Sequence, residues 1–173
     1  TTLFRSETAP ETLTYDTWEE FQTFVDHKGF SNVAQQHRAR GLPEHGFTET
    51  YTRHAKSLIS VAHGEGDDTY LSMETEFVAG ANPYTGDLAK GMPVTLYYLD
   101  KPRAFAQIEV FERQIDGQVR VFLQSTDAEG HAFIPVLPGH TYLLDAVVLR
   151  PAPQTEEPVW ETLWATLTFA TPQ

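Results

Sequence analysis

The sequence predicts a mainly β protein: a seven-stranded antiparallel sandwich of the immunoglobulin or transthyretin type, with an N-terminal helical hairpin packed on it. Three observations carry this expectation. Beyond residue 68, short apolar runs follow one another between turn residues, at the spacing of a sandwich. Thr126 to Arg150, TDAEGHAFIPVLPGHTYLLDAVVLR, reads as turn, strand, corner and strand, and its second strand is apolar on both faces, which calls for cover on both. Trp18, Phe21, Phe24 and Val25 recur at helical spacing behind a capping box, Thr17 with Glu20.

The elements follow in order. Thr1 to Ser6 reads as the end of a strand, and Glu7 to Asp16, polar and interrupted by Pro10, as a linker. The helix from Thr17 stops at Lys28-Gly29. Ser31 can cap a second, short helix that Gly41 and Pro43 end. Phe47 to Ala62 holds both a helical stripe and a Thr-rich strand pattern; the β-branched residues favour the strand. His63 to Asp68 (HGEGDD) is a loop and marks a boundary between an N-terminal helical and strand segment, 1–64, and a β-sandwich domain, 65–173. Seven strands are expected after it: 69–79, 94–99, 104–113, 119–124, 131–136, 141–150 and 160–170. Asp116-Gly117 supplies one hairpin turn, and Pro151 to Pro158 forms a Pro-rich acidic loop.

Composition excludes several functions. Acidic residues number 24 against 12 basic, a formal charge of −12, so the chain lacks the clustered cations that nucleic acid or an anionic membrane requires. Cysteine is absent, which removes disulfides, thiolate nucleophiles and Cys-ligated zinc. No apolar run is long enough to span a membrane. The start at Thr1, without Met, reads as a processed or trimmed end. No nucleophile elbow, zincin helix or phosphate loop occurs, so no catalytic residue is expected.

Taken in order, TWEEFQTFVDHKGF, FTETYTRHAKSLISV, EFVAGANPY, VTLYYLDKPRAFAQIEVFE, the Thr126–Arg150 stretch and WETLWATLTF resemble a widespread family of exported bacterial proteins of unknown function. Its members are described as periplasmic components associated with nickel or cobalt uptake. The resemblance implies a periplasmic or otherwise exported location, membrane transport components as partners, and no catalytic residues. Members usually carry a further β-rich region before the helices and often begin with a His after signal cleavage. This sequence has neither, and Thr1 to Ser6 would correspond to the last strand of that region.

The best local constellation for a divalent metal is His63 with Glu65, Asp67 and Asp68. Its glycines let an imidazole and carboxylates face one ion. Imidazole with oxygen ligands suits nickel, cobalt or zinc, and carboxylates alone suit calcium. The same residues also compose an ordinary solvated turn. His37, His45 and His54 offer a weaker grouping, and His131 and His140 fall too far apart along their strand and corner to share an ion. Trp160 and Trp164 share a strand face and could stack on sugar rings, or pack under the helices against Trp18, Phe21 and Phe24. The expected function is a non-enzymatic exported binding or accessory module, associated with divalent metal uptake; the alternative is a carbohydrate or cell-surface protein interaction module.

Overall fold

The computed structural model describes residues 2–152 and 157–173. The chain is mainly β. Its elements are β1 (Thr2–Glu7), β2 (Glu11–Tyr15), α1 (Trp18–His27), α2 (Val33–Ala39), β3 (Phe47–Ile59), β4 (Thr75–Ala79), β5 (Met92–Tyr98), β6 (Lys101–Pro102), β7 (Gln107–Arg113), β8 (Val119–Ser125), β9 (His131–Ile134), β10 (Thr141–Pro151) and β11 (Trp160–Ala170). Each of the seven strand segments expected after residue 68 contains a strand. The first is shorter than expected, and β6 is an addition. The central part of the expected loop from Pro151 to Pro158, residues 153–156, lies outside the described residues.

One sheet has seven strands in the order β1-β3-β11-β10-β7-β8, with β2 also paired to β3. The other has four, β4-β5-β6, with β9 also paired to β5. β1 and β2 run antiparallel to β3, and β8 and β10 antiparallel to β7. Val159 N–H, entering β11, donates to Thr48 O near the start of β3. Those two strands therefore begin at the same end and run parallel, so the large sheet is mixed, which corrects the expected antiparallel sandwich at this pair of strands. Parallel neighbours need a long crossover. Here the crossover is the whole chain from β3 to β11, which a reading of successive hairpins cannot see.

Two further expectations are corrected. Glu11–Tyr15 is a strand, not linker: Thr12, Leu13 and Thr14 pair with Thr50, Glu49 and Thr48. Only Tyr15 of its five residues is buried, so the strand carries no apolar alternation to betray it. The second helix is entered from Asn32, which has αR backbone and makes no side-chain cap, rather than from Ser31. The first helix keeps its capping box: Thr17 Oγ1 accepts from Glu20 N, and Glu20 Oε2 accepts from Thr17 N.

The described chain forms two compact units, each discontinuous in sequence, where the sequence reading divides it at residue 64. The larger comprises residues 1–7, 53–146 and 164–173; the smaller, 8–52 and 147–163. In the larger unit both sheets contribute to one core. Phe77, Met92, Leu96 and Ile134 come from the four-stranded sheet; Ile108, Val110, Tyr142, Leu144, Leu167 and Phe169 come from the other. Burying each such side chain is worth roughly 1.5–3 kcal/mol relative to leaving it in water. The Asp127–Gly130 turn closes as expected, with Asp127 Oδ1 accepting from Glu129 N and His131 N. Gly130 sits at φ +78°, and a Cβ there would lie 2.8 Å from Arg103 N.

The smaller unit has an aromatic core. Phe21, Phe47, Tyr15 and Trp160 meet there with Val25 and Val33, and Trp18 and Phe24 pack on its rim. β10 explains why its sequence is apolar on both faces. Tyr142, Leu144 and Ala146 belong to the larger core, and Leu149, of the other parity, packs against the smaller. Cover on both faces along its whole length is therefore not needed, and Leu143 is 36% exposed.

Candidate functional site

The larger unit has a groove between β8 and the segment following β9. β8 is the last strand of its sheet. Its even row, Arg120, Phe122 and Gln124, lines one wall; Pro135, Val136 and Leu137 line the other, and Glu112 of β7 also borders the space. The cavity holds about 260 Å³. A second hollow of about 220 Å³ shares Val136 and Leu137 and continues past Tyr84, Leu88 and Thr171. Each is just below the range of about 300–1,000 Å³ typical of small-molecule pockets, a size that suits a side chain or a small group.

The polar floor is built on the inward row of β7. Ile108, Val110 and Glu112 share that row, so the strand that buries two aliphatic side chains also buries a carboxylate; Glu112 is only 4% exposed. Its Oε1 accepts from His140 Nδ1–H at 2.8 Å and from Tyr142 O–H at 3.2 Å. Tyr142 lies opposite Glu112 in the β7–β10 register, which is why its hydroxyl reaches. That hydroxyl in turn accepts from Leu137 N at 2.7 Å and so fixes the groove wall. Burial raises the Tyr142 phenol to about 12, with the Glu112 charge acting in the same direction. The guanidinium of Arg120, largely exposed, stands 3.8 Å from Glu112 Oε2. A carboxylate that holds one imidazole nitrogen fixes the tautomer and orients the other nitrogen. The arrangement offers hydrogen bonds and a charge pair beside apolar walls.

β8 also presents an outward row. Val119, Val121 and Leu123 are 60%, 49% and 56% exposed. Val121 lies opposite Phe111, and Phe111 opposite Leu143, so an apolar band crosses three strands. A strand at the end of its sheet with this row exposed is the kind of surface that isolated proteins usually blunt.

The four residues expected to hold metal are not brought together. Asp68 is turned inward: its carboxylate accepts from Thr69 N and Ala79 N and pairs with Lys56 Nζ at 2.8 Å. His63, Glu65 and Asp67 are exposed. The loop is held by Asn82, whose amide donates to Gly64 O and Gly66 O at 2.6 Å each. Among the described residues no three His, Asp or Glu side chains form a metal-holding group.

Trp160 is fully buried and stacks on Phe21 at 5.9 Å, while Trp164 is half-buried, so the two do not make an exposed sugar-stacking pair. Trp160 Nε1–H donates to Nδ1 of the buried His37 at 3.0 Å, and His37 Nε2–H donates to Pro43 O at 2.9 Å. With Nδ1 accepting, the ring is neutral, and burial lowers its pKa. In the same unit Glu49 is buried and accepts from Tyr15 O–H at 2.9 Å and from Thr162 O–H. Burial raises its pKa, and burial together with the Glu49 charge raises that of Tyr15.

Sequence reasoning placed His140 in a turn and overlooked Glu112, Tyr142 and Lys56 as polar members of buried rows. A signal existed for Glu112 and Lys56. Each continues an alternating row, Ile108-Val110-Glu112 and Lys56-Leu58, onto the core side.

Two sheets around one core, with a two-helix segment and an aromatic second core, define a mainly β domain. The chain belongs to the family described as a domain of unknown function (DUF4198), whose model matches residues 4–150. No curated protein and no solved structure matches it.

Proposed function

We propose that this chain is a non-enzymatic, exported interaction module that binds an extended peptide segment of a partner protein along β8 and the adjoining groove. The observation that supports this most strongly is that β8 ends its sheet among the described residues, with Val119, Val121 and Leu123 exposed on one side and the groove of Phe122, Val136 and Leu137 on the other. Strand addition draws affinity from main-chain hydrogen bonds and specificity from pockets that take alternate side chains. Glu112, His140 and Arg120 supply the polar end of such a pocket. We infer that the two-sheet unit is a sandwich of the immunoglobulin or transthyretin type, a scaffold whose open edges suit this role.

The association with nickel or cobalt uptake comes from the family resemblance, and the module would serve it through protein partners in an exported transport assembly. Metal held by HGEGDD would be a separate property of this chain.

Selection from a library of displayed random peptides tests the interaction reading. Peptides are expected to enrich on the chain and to lose binding to Val121→Asp. No enrichment, or equal binding to the variant, contradicts it. Calorimetry with nickel, cobalt, zinc and calcium salts addresses the metal. A saturable heat that disappears in a His63→Ala, Asp67→Ala double variant would move the function from the groove to the loop.

A further inference from the structure

The larger unit buries a lysine between two carboxylates. Lys56, on β3, and Asp68 have fully buried side chains, with Nζ 2.8 Å from Asp68 Oδ1. Glu76, also fully buried, places Oε2 3.2 Å from the same nitrogen. Thr69 O and Phe77 O accept from Nζ at 2.9 Å each. Around the carboxylates, Ala79 N–H donates to Asp68 Oδ2 at 2.8 Å, while Leu71 N–H and Met73 N–H hold Glu76. A charge-paired clamp needs one lysine and one acid. Here a second acid stands on the amine, and a backbone N–H is aimed at the far oxygen of the first.

We propose that Lys56 and Asp68 react to form an intramolecular amide, with Glu76 as the proton-transfer group. Glu76 takes a proton from Nζ and passes it to Asp68 Oδ1, and the freed lone pair adds to Cγ of the now neutral acid. The Nζ–Cγ bond forms, and the developing negative charge falls on Oδ2, which Ala79 N–H already faces. Donors preset where charge develops are the usual source of acyl-transfer stabilisation. The Cγ–Oδ1 bond then breaks. Two of the three ammonium protons leave on Oδ1 as water, one of them relayed by Glu76, and the third remains as the amide N–H. Glu76 ends as the carboxylate it began as, and nothing is oxidised or reduced. Thr69 O or Phe77 O receives the amide hydrogen.

The fold supplies what the uncatalysed reaction lacks. Amine and carboxylate are held at contact by β3 and by the hydrogen-bonded segment that leads into β4, so no encounter entropy is lost at the moment of reaction. The site is dry, which disfavours the separated charges of the ion pair and the return of the expelled water. The product ties β3 to the segment before β4 in a chain that has no cysteine and so no disulfide. A covalent tie of this kind limits the unfolded chain as a disulfide does.

Intact mass spectrometry of the purified folded chain reads the reaction directly. The expected mass is one water below that of the sequence. Trypsin is expected to leave the bond after Lys56 uncut and to yield a fragment, His54 to Lys90, that carries the loss between Lys56 and Asp68. Lys56→Met and Glu76→Gln are expected to show the full mass. A wild-type chain at full mass overturns the proposal, whether or not the variants fold. So does a water loss that maps to Asp116-Gly117 and marks a site where hydroxylamine cleaves the chain, since that is a succinimide.

Discussion

Replacing His37 by Phe isolates one buried hydrogen bond of the smaller unit. The imidazole is fully buried among Trp18, Phe21, Phe47 and Trp160, with centroid distances of 4.8, 5.8, 4.7 and 6.2 Å. Phenylalanine keeps most of these ring contacts and removes both nitrogens. Pro43 is exposed, so its carbonyl finds water and loses little. Trp160 is fully buried, so its Nε1–H is left without a partner, which costs about 1–3 kcal/mol. That is the expected loss at neutral pH.

The pH dependence gives the sharper test. Burial lowers the His37 pKa from its ordinary 6.5, with Arg40 and Arg38 acting the same way and Glu44 and the Pro43 hydrogen bond opposing. The unfolded chain therefore takes up this proton first. Stability from neutral His37 is present above 6.5 and is lost as pH falls below it toward the lowered folded value. The slope in that window approaches about 1.4 kcal/mol per pH unit for one proton. Urea unfolding followed by Trp fluorescence, on wild type and His37→Phe at a series of pH values, reads the difference between the two. Carboxylates and the other histidines contribute to both chains and cancel to first order. The gap between wild type and variant should narrow as the solution is acidified from neutral. A constant gap would refute the reasoning, because it would mean that His37 does not take up its proton differently in the folded and unfolded chain.

Other outcomes follow from the same structure. Glu49→Gln should gain relative to wild type as pH rises through the ordinary carboxylate range, because burial raises the folded pKa and the unfolded chain ionises first; parallel urea titrations at acid and neutral pH check the sign. Thr17→Ala should cost about 1 kcal/mol, the worth of an N-cap, measured as a shift in the urea midpoint. Tyr142→Phe should cost about 1–2 kcal/mol, since Leu137 N–H and Glu112 both lose a partner, and it should raise amide exchange at Leu137.

Much of the fold was legible because its signals are local. The capping box before Trp18, the Asp127–Gly130 turn, Asp116-Gly117 and the alternation in β5, β7, β10 and β11 each depend on neighbours in sequence. What could not be read depends on partners far along the chain. β2 is a strand because β3 lies beside it, although four of its five side chains face water. The parallel pairing of β3 with β11 joins residues more than a hundred positions apart. The groove fell outside the sequence reading for the same reason. Glu112 and His140 are 28 residues apart, and only the β7–β10 register brings Tyr142 opposite Glu112 and lets His140 close on it. The loop HGEGDD drew attention by composition, yet Asp68 is committed to Lys56, a residue that reads by itself as a surface cation.

Hydrogen exchange of the chain with and without a selected peptide tests the proposed binding edge most directly. Strand addition predicts slowed exchange confined to the outward-facing amides of Val119–Ser125 and to Val136 and Leu137, and its absence with Val121→Asp. Protection centred on residues 63–68, or spread through the aromatic core of the smaller unit with β8 unchanged, would contradict it.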